Sequence, residues 1–191
     1  MRMQKFIIIT APSGTGKTTI TKYLLEHNPG LTFSVSAATR QPRKGEVDGK
    51  DYYFISPEEF RQKIDEDAFV EWEMVYEGKY YGTLKSDLQR IWDAGRIPVL
   101  DIDVQGAIHV EQKYPKGACL LIFIKPPSIE ELKRRLESRQ TDDLESIKTR
   151  LSKAEHEMSF TSHFGKVIVN DNLEKACQET EAVIKEFLGW K

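Results

Sequence analysis

Eight residues near the N-terminus have the types and the spacing of a phosphate-binding loop. Residues 11–18 read Ala-Pro-Ser-Gly-Thr-Gly-Lys-Thr, which is the Walker A pattern with alanine in place of its first glycine. Gly14 and Gly16 allow the backbone to curl so that successive N–H groups face one anion. Lys17 supplies a positive charge for the β- and γ-phosphates, and Thr18 supplies a hydroxyl ligand for Mg²⁺. The alternative is a glycine-rich turn that binds no ligand.

A strand before this loop and a helix after it would position these residues. Residues 6–10 form an apolar run typical of a strand buried on both faces, and a helical stretch follows over residues 18–26. The N-terminus of that helix adds the positive end of its dipole to the loop. Ala11 fits the pattern only if its φ is negative.

The remaining apolar runs indicate an α/β fold. Near-continuous apolar strands separated by helical stretches are typical of a parallel sheet, and they recur at residues 97–101, 120–124 and 167–169. Capping residues and apolar periodicity predict helices over residues 129–135, from about Thr83 to Ala94, and over residues 173–188. We therefore predict a three-layer architecture, with a parallel sheet flanked by helices.

One region interrupts this alternation of strands and helices. Residues 38–83 are rich in aromatic and charged side chains, with strand-like runs at residues 52–55 and 69–76 and a short capped helix between them. This pattern predicts a small α+β insertion. A second irregular segment, residues 138–143, is polar and lies between two helices, which predicts a mobile lid.

Composition excludes several classes of function. The 191 residues include 28 Lys and Arg against 30 Asp and Glu, a formal charge of −2, which excludes a uniformly polycationic binder of DNA or membranes but leaves room for a local basic cleft. Two cysteines cannot build a disulfide framework or a four-ligand zinc site, and the four histidines lack the paired spacing of a metal site. The first apolar run is too short for a signal peptide or a membrane span. We expect a cytoplasmic protein.

A phosphate loop alone does not define a function, because motors, switches and small-molecule kinases share it. The short chain and the insertion favour a kinase that closes over two substrates. Five segments, in order along nearly the whole chain, resemble the signature of guanylate kinases: residues 34–52, 69–72, 80–83, 100–106 and 167–171.

The resemblance implies a P-loop kinase fold and the reaction ATP + GMP ⇌ ADP + GDP with Mg²⁺, with dGMP as a further acceptor, in purine nucleotide metabolism. It implies a core of residues 1–37 and 84–191, a GMP-binding insertion at 38–83 and a helical lid at about 135–155. ATP and GMP would be the partners, with no nucleic acid and no membrane.

The insertion carries the chemistry to bind GMP. The guanidinium groups of Arg40 and Arg43 each bind two oxygens, and Tyr52 donates one more hydrogen bond, which together make a phosphate clamp. Glu71 can accept both N1–H and the 2-amino group of guanine, whereas N1 of adenine would repel it. The alternatives are a solvated basic loop and an ordinary strand glutamate. The resemblance assigns ten residues to GMP: Ser36, Arg40, Arg43, Glu46, Tyr52, Glu71, Tyr81, Thr83, Asp101 and Asp103.

Two aspartates lie at the end of the apolar strand at residues 97–101. Asp101 is its last residue, and Asp103 follows two residues later. The carboxyl ends of parallel strands are where ligands bind in this fold class. We expect Asp101 to orient Mg²⁺ through water while Thr18 coordinates the ion directly. Asp103 is expected to contact the acceptor nucleotide, with capping of the next helix as the alternative.

Phosphoryl transfer spreads negative charge over the equatorial oxygens, and arginines that arrive on closure would stabilise that charge. The predicted catalytic residues are Lys17, Arg135, Arg139 and Arg150. The resemblance assigns to ATP the residues Ala11, Pro12, Ser13, Gly14, Thr15, Gly16, Lys17, Thr18, Thr19, Arg135, Arg139 and Asn170.

Two other functions fit parts of the sequence. Guanylate-kinase-like domains also serve as protein-interaction scaffolds, but those have lost phosphate-loop residues, whereas Lys17 and Thr18 are present here. A related P-loop kinase could act on a different phosphorylated acceptor, although Glu71, Ser36 and Thr83 together favour guanine.

Overall fold

The computed structural model describes residues 3–138 and 144–190 of the chain. The strands in these ranges are β1 (Phe6–Thr10), β2 (Leu31–Phe33), β3 (Ser36–Ala38), β4 (Tyr53–Phe54), β5 (Phe69–Tyr76), β6 (Lys79–Leu84), β7 (Ile97–Asp101), β8 (Cys119–Lys125) and β9 (Lys166–Val169). The helices are α1 (Lys17–His27), α2 (Pro57–Asp65), α3 (Lys85–Asp93), α4 (Val104–Lys113), α5 (Ile129–Ser138), α6 (Leu144–Ser159) and α7 (Leu173–Leu188), with a 3-10 turn at Thr161–His163. Over the same ranges, no helix combines the length and the apolar character that crossing a bilayer requires.

Five parallel strands form the central sheet, in the order β2-β7-β1-β8-β9. One face packs against α1 and α7 through buried residues that include Leu24 and Ile184. The other face packs against α3 and α4 through buried residues that include Leu88 and Val110. These three layers confirm the predicted α/β fold.

Strand β1 shows why its sequence is a continuous apolar run. Ile7 and Ile9 belong to the core on one face of the sheet, while Phe6 and Ile8 belong to the core on the other face, and all four are fully buried. Side chains alternate between the two faces of a strand, so both sets must be apolar. Because Ile9 lies in register with Asp101 of β7, the loop that follows β1 starts beside this aspartate.

The second sheet has the order β4-β3-β6-β5 and spans Ser36 to Leu84. Its small core includes Phe60 of α2 stacked on Phe69 at a ring-centroid distance of 4.3 Å. Ser56 caps α2 by accepting a hydrogen bond from the Glu59 amide at 3.1 Å, with proline at the first helical position, as the sequence predicted.

Some element boundaries differ from the prediction. The helix expected from about Thr83 begins at Lys85, because Thr83 pairs with Ser36 between β6 and β3. Strands β2 and β3 were not predicted, since each has only three residues, which is too few for a periodic pattern to be recognised. The C-terminal helix, by contrast, has the predicted bounds.

Helices α5 and α6 pack on each other through the buried side chains of Leu132, Leu136, Ile147 and Ala154. Ser128 accepts a hydrogen bond from the Glu131 amide at 3.1 Å, which confirms the predicted capping of α5. Residues 139–143, which make up most of the segment predicted as a mobile lid, lie outside the described residues.

Candidate active site

Two open cavities lie side by side at the carboxyl end of the central sheet. The first, of about 450 Å³, is formed by the phosphate loop, the end of β7 and α6. The second, of about 290 Å³, lies between the end of β7 and the small sheet. Residues Asp101, Ile102, Asp103 and Lys153 line both cavities and form the shared wall. Ligands in the two cavities would therefore meet at this wall.

The phosphate loop has the backbone conformation that its glycines predict. Gly14 and Gly16 have φ of 91° and 93°, in the left-handed region. Ala11 is absent from the residues with positive φ, so alanine fits in place of the first glycine. Helix α1 begins at Lys17 directly after the loop, which places the free N–H groups of its first turn at the first cavity.

Two buried polar side chains, those of Asn170 and Thr15, donate hydrogen bonds to backbone carbonyls of the phosphate loop. The Asn170 side-chain amide donates to the Thr15 carbonyl at 2.7 Å, and the Asn170 backbone N–H donates to the Lys125 carbonyl at 2.8 Å. The Thr15 hydroxyl donates to the Pro12 carbonyl at 2.9 Å. Both side chains are buried and neither lines the first cavity. Asn170 was expected to bind ATP, and the structure places its side chain against the loop backbone.

The charged groups of the first cavity pair with one another. Lys17 forms an ion pair with Asp101, the residue at the end of the neighbouring strand. Arg150 of α6 donates to the Ser13 hydroxyl at 3.3 Å, which connects α6 to the phosphate loop. Lys17 and Arg150 both line the cavity, as expected for groups that bind phosphates.

The donor set of this cavity suits a magnesium ion carried with a nucleotide. Among the described residues, no three His, Cys, Asp or Glu side chains come together to hold a metal. Thr18 and Asp101 nevertheless place a hydroxyl and a carboxylate in one cavity. Mg²⁺ is commonly held by one or two such oxygens together with waters and substrate phosphates, so these residues fit the ion.

Glu71 lies on β5 at the wall of the second cavity. The Thr83 backbone N–H and hydroxyl both donate to Glu71 Oε1, at 3.1 and 2.8 Å. Its other oxygen, Oε2, faces Gly106, where an added Cβ would lie 3.2 Å away. Burial raises the pKa of Glu71 to about 7, with a further rise from Asp103, against the hydrogen bonds from Thr83. Ser36 lines the same cavity.

Arg40 of the predicted phosphate clamp is held by several side-chain contacts. It donates to both carboxylate oxygens of Glu46, at 2.5 and 2.6 Å, and stacks 4.9 Å over the Tyr52 ring. These hydrogen bonds raise the pKa of Arg40 and lower the pKa of Glu46 to about 2. Glu46 also accepts the Arg43 backbone N–H at 2.7 Å.

The clamp lies at the rim of the second cavity. Tyr52 and Tyr81 line the cavity, with ring centroids 6.0 Å apart. Arg40, Arg43 and Glu46 are outside the lining, and the Arg43 side chain is exposed. Arg40 is joined to this cavity by its stacking on Tyr52.

Asp103 caps α4 and faces the second cavity at the same time. Its Oδ1 accepts the Gly106 amide hydrogen at 2.7 Å, which is the capping role left open by the sequence. A hydrogen bond between Glu73 and Asp103, together with partial burial, raises the pKa of Glu73 to about 7. Burial alone would raise the pKa of Asp103, but the bonds to Glu73 and Gly106 lower it.

Of the lid arginines that the structure describes, Arg150 lines the first cavity and Arg135 does not. Arg135 on α5 donates to Glu131 at 2.8 Å and is absent from the lining of the first cavity. Hydrogen bonds from Arg134 and Arg135 lower the pKa of Glu131 to about 2. Arg139 lies outside the described residues, so Arg150 is the predicted lid cation that the structure places at the cavity.

Three charged residues at the cavities were missed by the sequence analysis. Glu73 lies two residues after Glu71 on β5, a spacing that puts both side chains on one face. Lys153 and Glu157 follow Arg150 on α6 at a helical spacing of three and seven residues, and all three line the first cavity. Periodicity applied from the known site residues would have found them.

Comparison with known proteins agrees with this geometry. The family model for guanylate kinase matches residues 3–187. The guanylate kinase of Bacteroides thetaiotaomicron is 50% identical over 97% of this chain and 90% of its own length, and that of Porphyromonas gingivalis is 48% identical over 98% and 100%. The crystal structure of guanylate kinase from Anaplasma phagocytophilum superposes with a TM-score of 0.74 at 32% identity, covering 96% of this chain and 86% of that one. The chain belongs to the guanylate kinase family.

Proposed function

We propose that the first cavity binds ATP, that the second binds GMP, and that the γ-phosphoryl group passes between them at the shared wall. The family assigns the overall reaction, ATP-dependent phosphorylation of GMP to GDP. The observation that supports this division is that two cavities of different character share Asp101, Ile102 and Asp103. One contains a phosphate loop, and the other contains a carboxylate suited to guanine.

On the ATP side, the residues stabilise the charge of the triphosphate. Lys17, Arg150 and the N–H groups at the start of α1 surround the space where the β- and γ-phosphates would lie. Thr18 and Asp101 would hold Mg²⁺, Asp101 through water, and the bound ion would neutralise charge on the same phosphates. Arg135 and Arg139 remain proposed as further lid cations. Thr15 and Asn170 act by bracing the loop.

On the GMP side, the Glu71 carboxylate recognises the guanine base by hydrogen bonds, and the clamp binds the GMP phosphate. Glu71 keeps Oε2 available for guanine while Thr83 fixes Oε1. The clamp of Arg40, Arg43, Tyr52 and Tyr81 would take the GMP phosphate, with Glu46 orienting Arg40. Ser36 and Asp103 complete the proposed set.

Little proton transfer is required of the protein, because the acceptor oxygen of GMP is already anionic. The residues act by positioning two phosphates in line, by neutralising charge and by excluding water. We propose that the insertion at 38–83 closes on GMP and that a lid at 135–155 closes on ATP. The remaining residues, 1–37 and 84–191, would form the core. We place the enzyme in the cytoplasm and extend its acceptors to dGMP.

The test is a coupled assay of ADP formation with ATP·Mg²⁺ and GMP, dGMP, AMP or UMP. We expect turnover with GMP and dGMP and at least about a hundredfold lower kcat/KM with AMP and UMP. Glu71 repels N1 of adenine, and uracil offers the carboxylate one N–H donor where guanine offers two. Turnover confined to another monophosphate would show a related kinase with a different acceptor. No turnover with any of the four would favour an interaction scaffold.

A further inference from the structure

Lys153 lies in the wall between the two cavities but belongs to none of the segments that resemble the guanylate kinase signature. It is on α6, three residues after Arg150, and lines both cavities. Its side chain is 64% exposed, so the ammonium group reaches into the open cleft. A cation at this position faces the place where the phosphates of two bound nucleotides would meet.

Lys153 forms an ion pair with Glu157, one turn further along α6. The distance from Lys153 Nζ to Glu157 Oε1 is 3.7 Å, an ion pair too long for a hydrogen bond. Glu157 is buried, and burial raises its pKa, whereas the charges of Lys153 and Lys17 lower it. The Glu157 carboxylate therefore interacts with the charges of both the phosphate-loop lysine and the α6 lysine.

The field of Lys153 also reaches two carboxylates of the second cavity. Its charge acts to lower the pKa of both Asp103 and Glu73. These carboxylates lie at the start of α4 and on β5, so one ammonium group interacts with acidic side chains on three elements. Its loose pairing and exposed tip leave it able to change partners.

We propose that Lys153 is a further phosphate-contacting residue of the transfer reaction, and that Glu157 positions it. This inference rests on the proposed function. Phosphates entering from both cavities bring more negative charge to the shared wall than the carboxylates supply, and Lys153 would turn to them. A cation shared by both nucleotides gains most when charge spreads between them, so it stabilises the transition state more than either bound substrate.

The first experiment compares Lys153→Met with Lys148→Met in the ATP and GMP assay. Lys148 is exposed on the same helix and lines neither cavity, so it controls for loss of a lysine from α6. We expect kcat of Lys153→Met to fall at least about tenfold, with KM for ATP and for GMP within about threefold of wild type. Lys153→Arg, which keeps the charge, should recover most of the lost kcat.

The second experiment tests the positioning role of Glu157. Glu157→Gln keeps the volume but removes the charge that holds Lys153, so kcat should fall by less than in Lys153→Met. The double variant Lys153→Met/Glu157→Gln should be no slower than Lys153→Met alone, because Glu157 acts through the lysine. Additive losses would overturn this positioning role.

Thermal unfolding of each variant shows whether a loss of activity reflects a loss of folded protein. A Lys153→Met enzyme with the kcat of the Lys148→Met control would overturn the inference, as would a rise in one KM with kcat unchanged. Wild-type turnover of GMP in the same assay separates the two hypotheses. If the wild type is inactive on GMP, the proposed function fails. If the wild type is active but Lys153→Met has the same kcat as Lys148→Met, the inference alone fails.

Discussion

Replacing Glu71 with glutamine tests how the enzyme reads its base, because the structure fixes the orientation of the new amide. In the wild type, Thr83 donates two hydrogen bonds to Oε1. Only the carbonyl oxygen of glutamine can accept them, so the carbonyl takes the place of Oε1. The NH₂ group must then take the place of Oε2 and point a donor at the donors of guanine.

The expected loss follows from this geometry. Guanine loses one hydrogen bond to a charged acceptor. In the half-buried pocket, the amide NH₂ then faces a guanine N–H, and these donors have no acceptor. Together these cost about 3 kcal/mol, which corresponds to about a hundredfold in kcat/KM for GMP. The KM for ATP should change little, because Glu71 is absent from the first cavity. Adenine can pair with the amide, so kcat/KM for AMP should hold or rise.

The pKa of Glu71 adds a second signature. The carboxylate form accepts hydrogen bonds from guanine, and burial raises the pKa of Glu71 to about 7, so protonation below pH 7 removes the charged acceptor. In the wild type, kcat/KM for GMP should fall as the pH drops from 8 to 6, beyond the change that titration of GMP itself causes. That extra fall should be absent in Glu71→Gln. Because the folded pKa lies above the unfolded one, the ionised group costs stability at high pH, so Glu71→Gln should melt no lower than wild type at pH 8.

The assay is ADP formation with GMP or AMP at pH 6, 7 and 8, with Glu77→Gln as the control. Glu77 is exposed in the turn after β5 and lines neither cavity, so its variant should match the wild type. An unchanged ratio of GMP to AMP in Glu71→Gln would refute the assignment of Glu71 as the base reader.

Three more substitutions test the phosphate sites. Lys17→Ala should lower kcat at least about a hundredfold, since it removes the charge beside the transferred group and leaves Asp101 without its ion-pair partner; a near-normal kcat would exclude this role. Arg40→Met should raise the KM for GMP well before that for ATP, measured by initial rates, and the reverse pattern would mean that the two sites are exchanged. Gly16→Ala should abolish ATP binding in calorimetry, because φ is 93° and the new Cβ would lie 2.5 Å from Asn170 Nδ2. Wild-type affinity in that variant would contradict the loop geometry.

Strong local signals allowed most of the core to be predicted. The run Phe6 to Ile9 is buried on both faces of β1, and a short continuous apolar run of this kind is typical of a strand covered on both faces. The caps at Ser56 and Ser128 are local hydrogen bonds and were predicted correctly. Strands β2 and β3 depend on pairing with distant strands rather than on their own residues, and so they carry too little local signal.

The site was less predictable, since sequence identifies chemical types but not the partners that a side chain finds. Asn170 carries the right groups for a nucleotide base, but the fold turns its amide into the phosphate loop. Asp103 caps a helix and faces the cavity, so the two interpretations are compatible. Lys153 and Glu157 belong to none of the signature segments, and only their helical spacing from Arg150 could have indicated them.

The paired charges also explain how a nearly neutral chain can bind two highly anionic ligands, ATP and GMP. Among the described residues, four cations at or near the site each pair with a carboxylate. The pairs are Lys17 with Asp101, Arg40 with Glu46, Arg135 with Glu131, and Lys153 with Glu157. Each carboxylate limits repulsion among cations in the free enzyme. A phosphate group carries more charge than the carboxylate and can take over part of that pairing. A net charge of −2 is therefore compatible with cations placed where phosphates would bind.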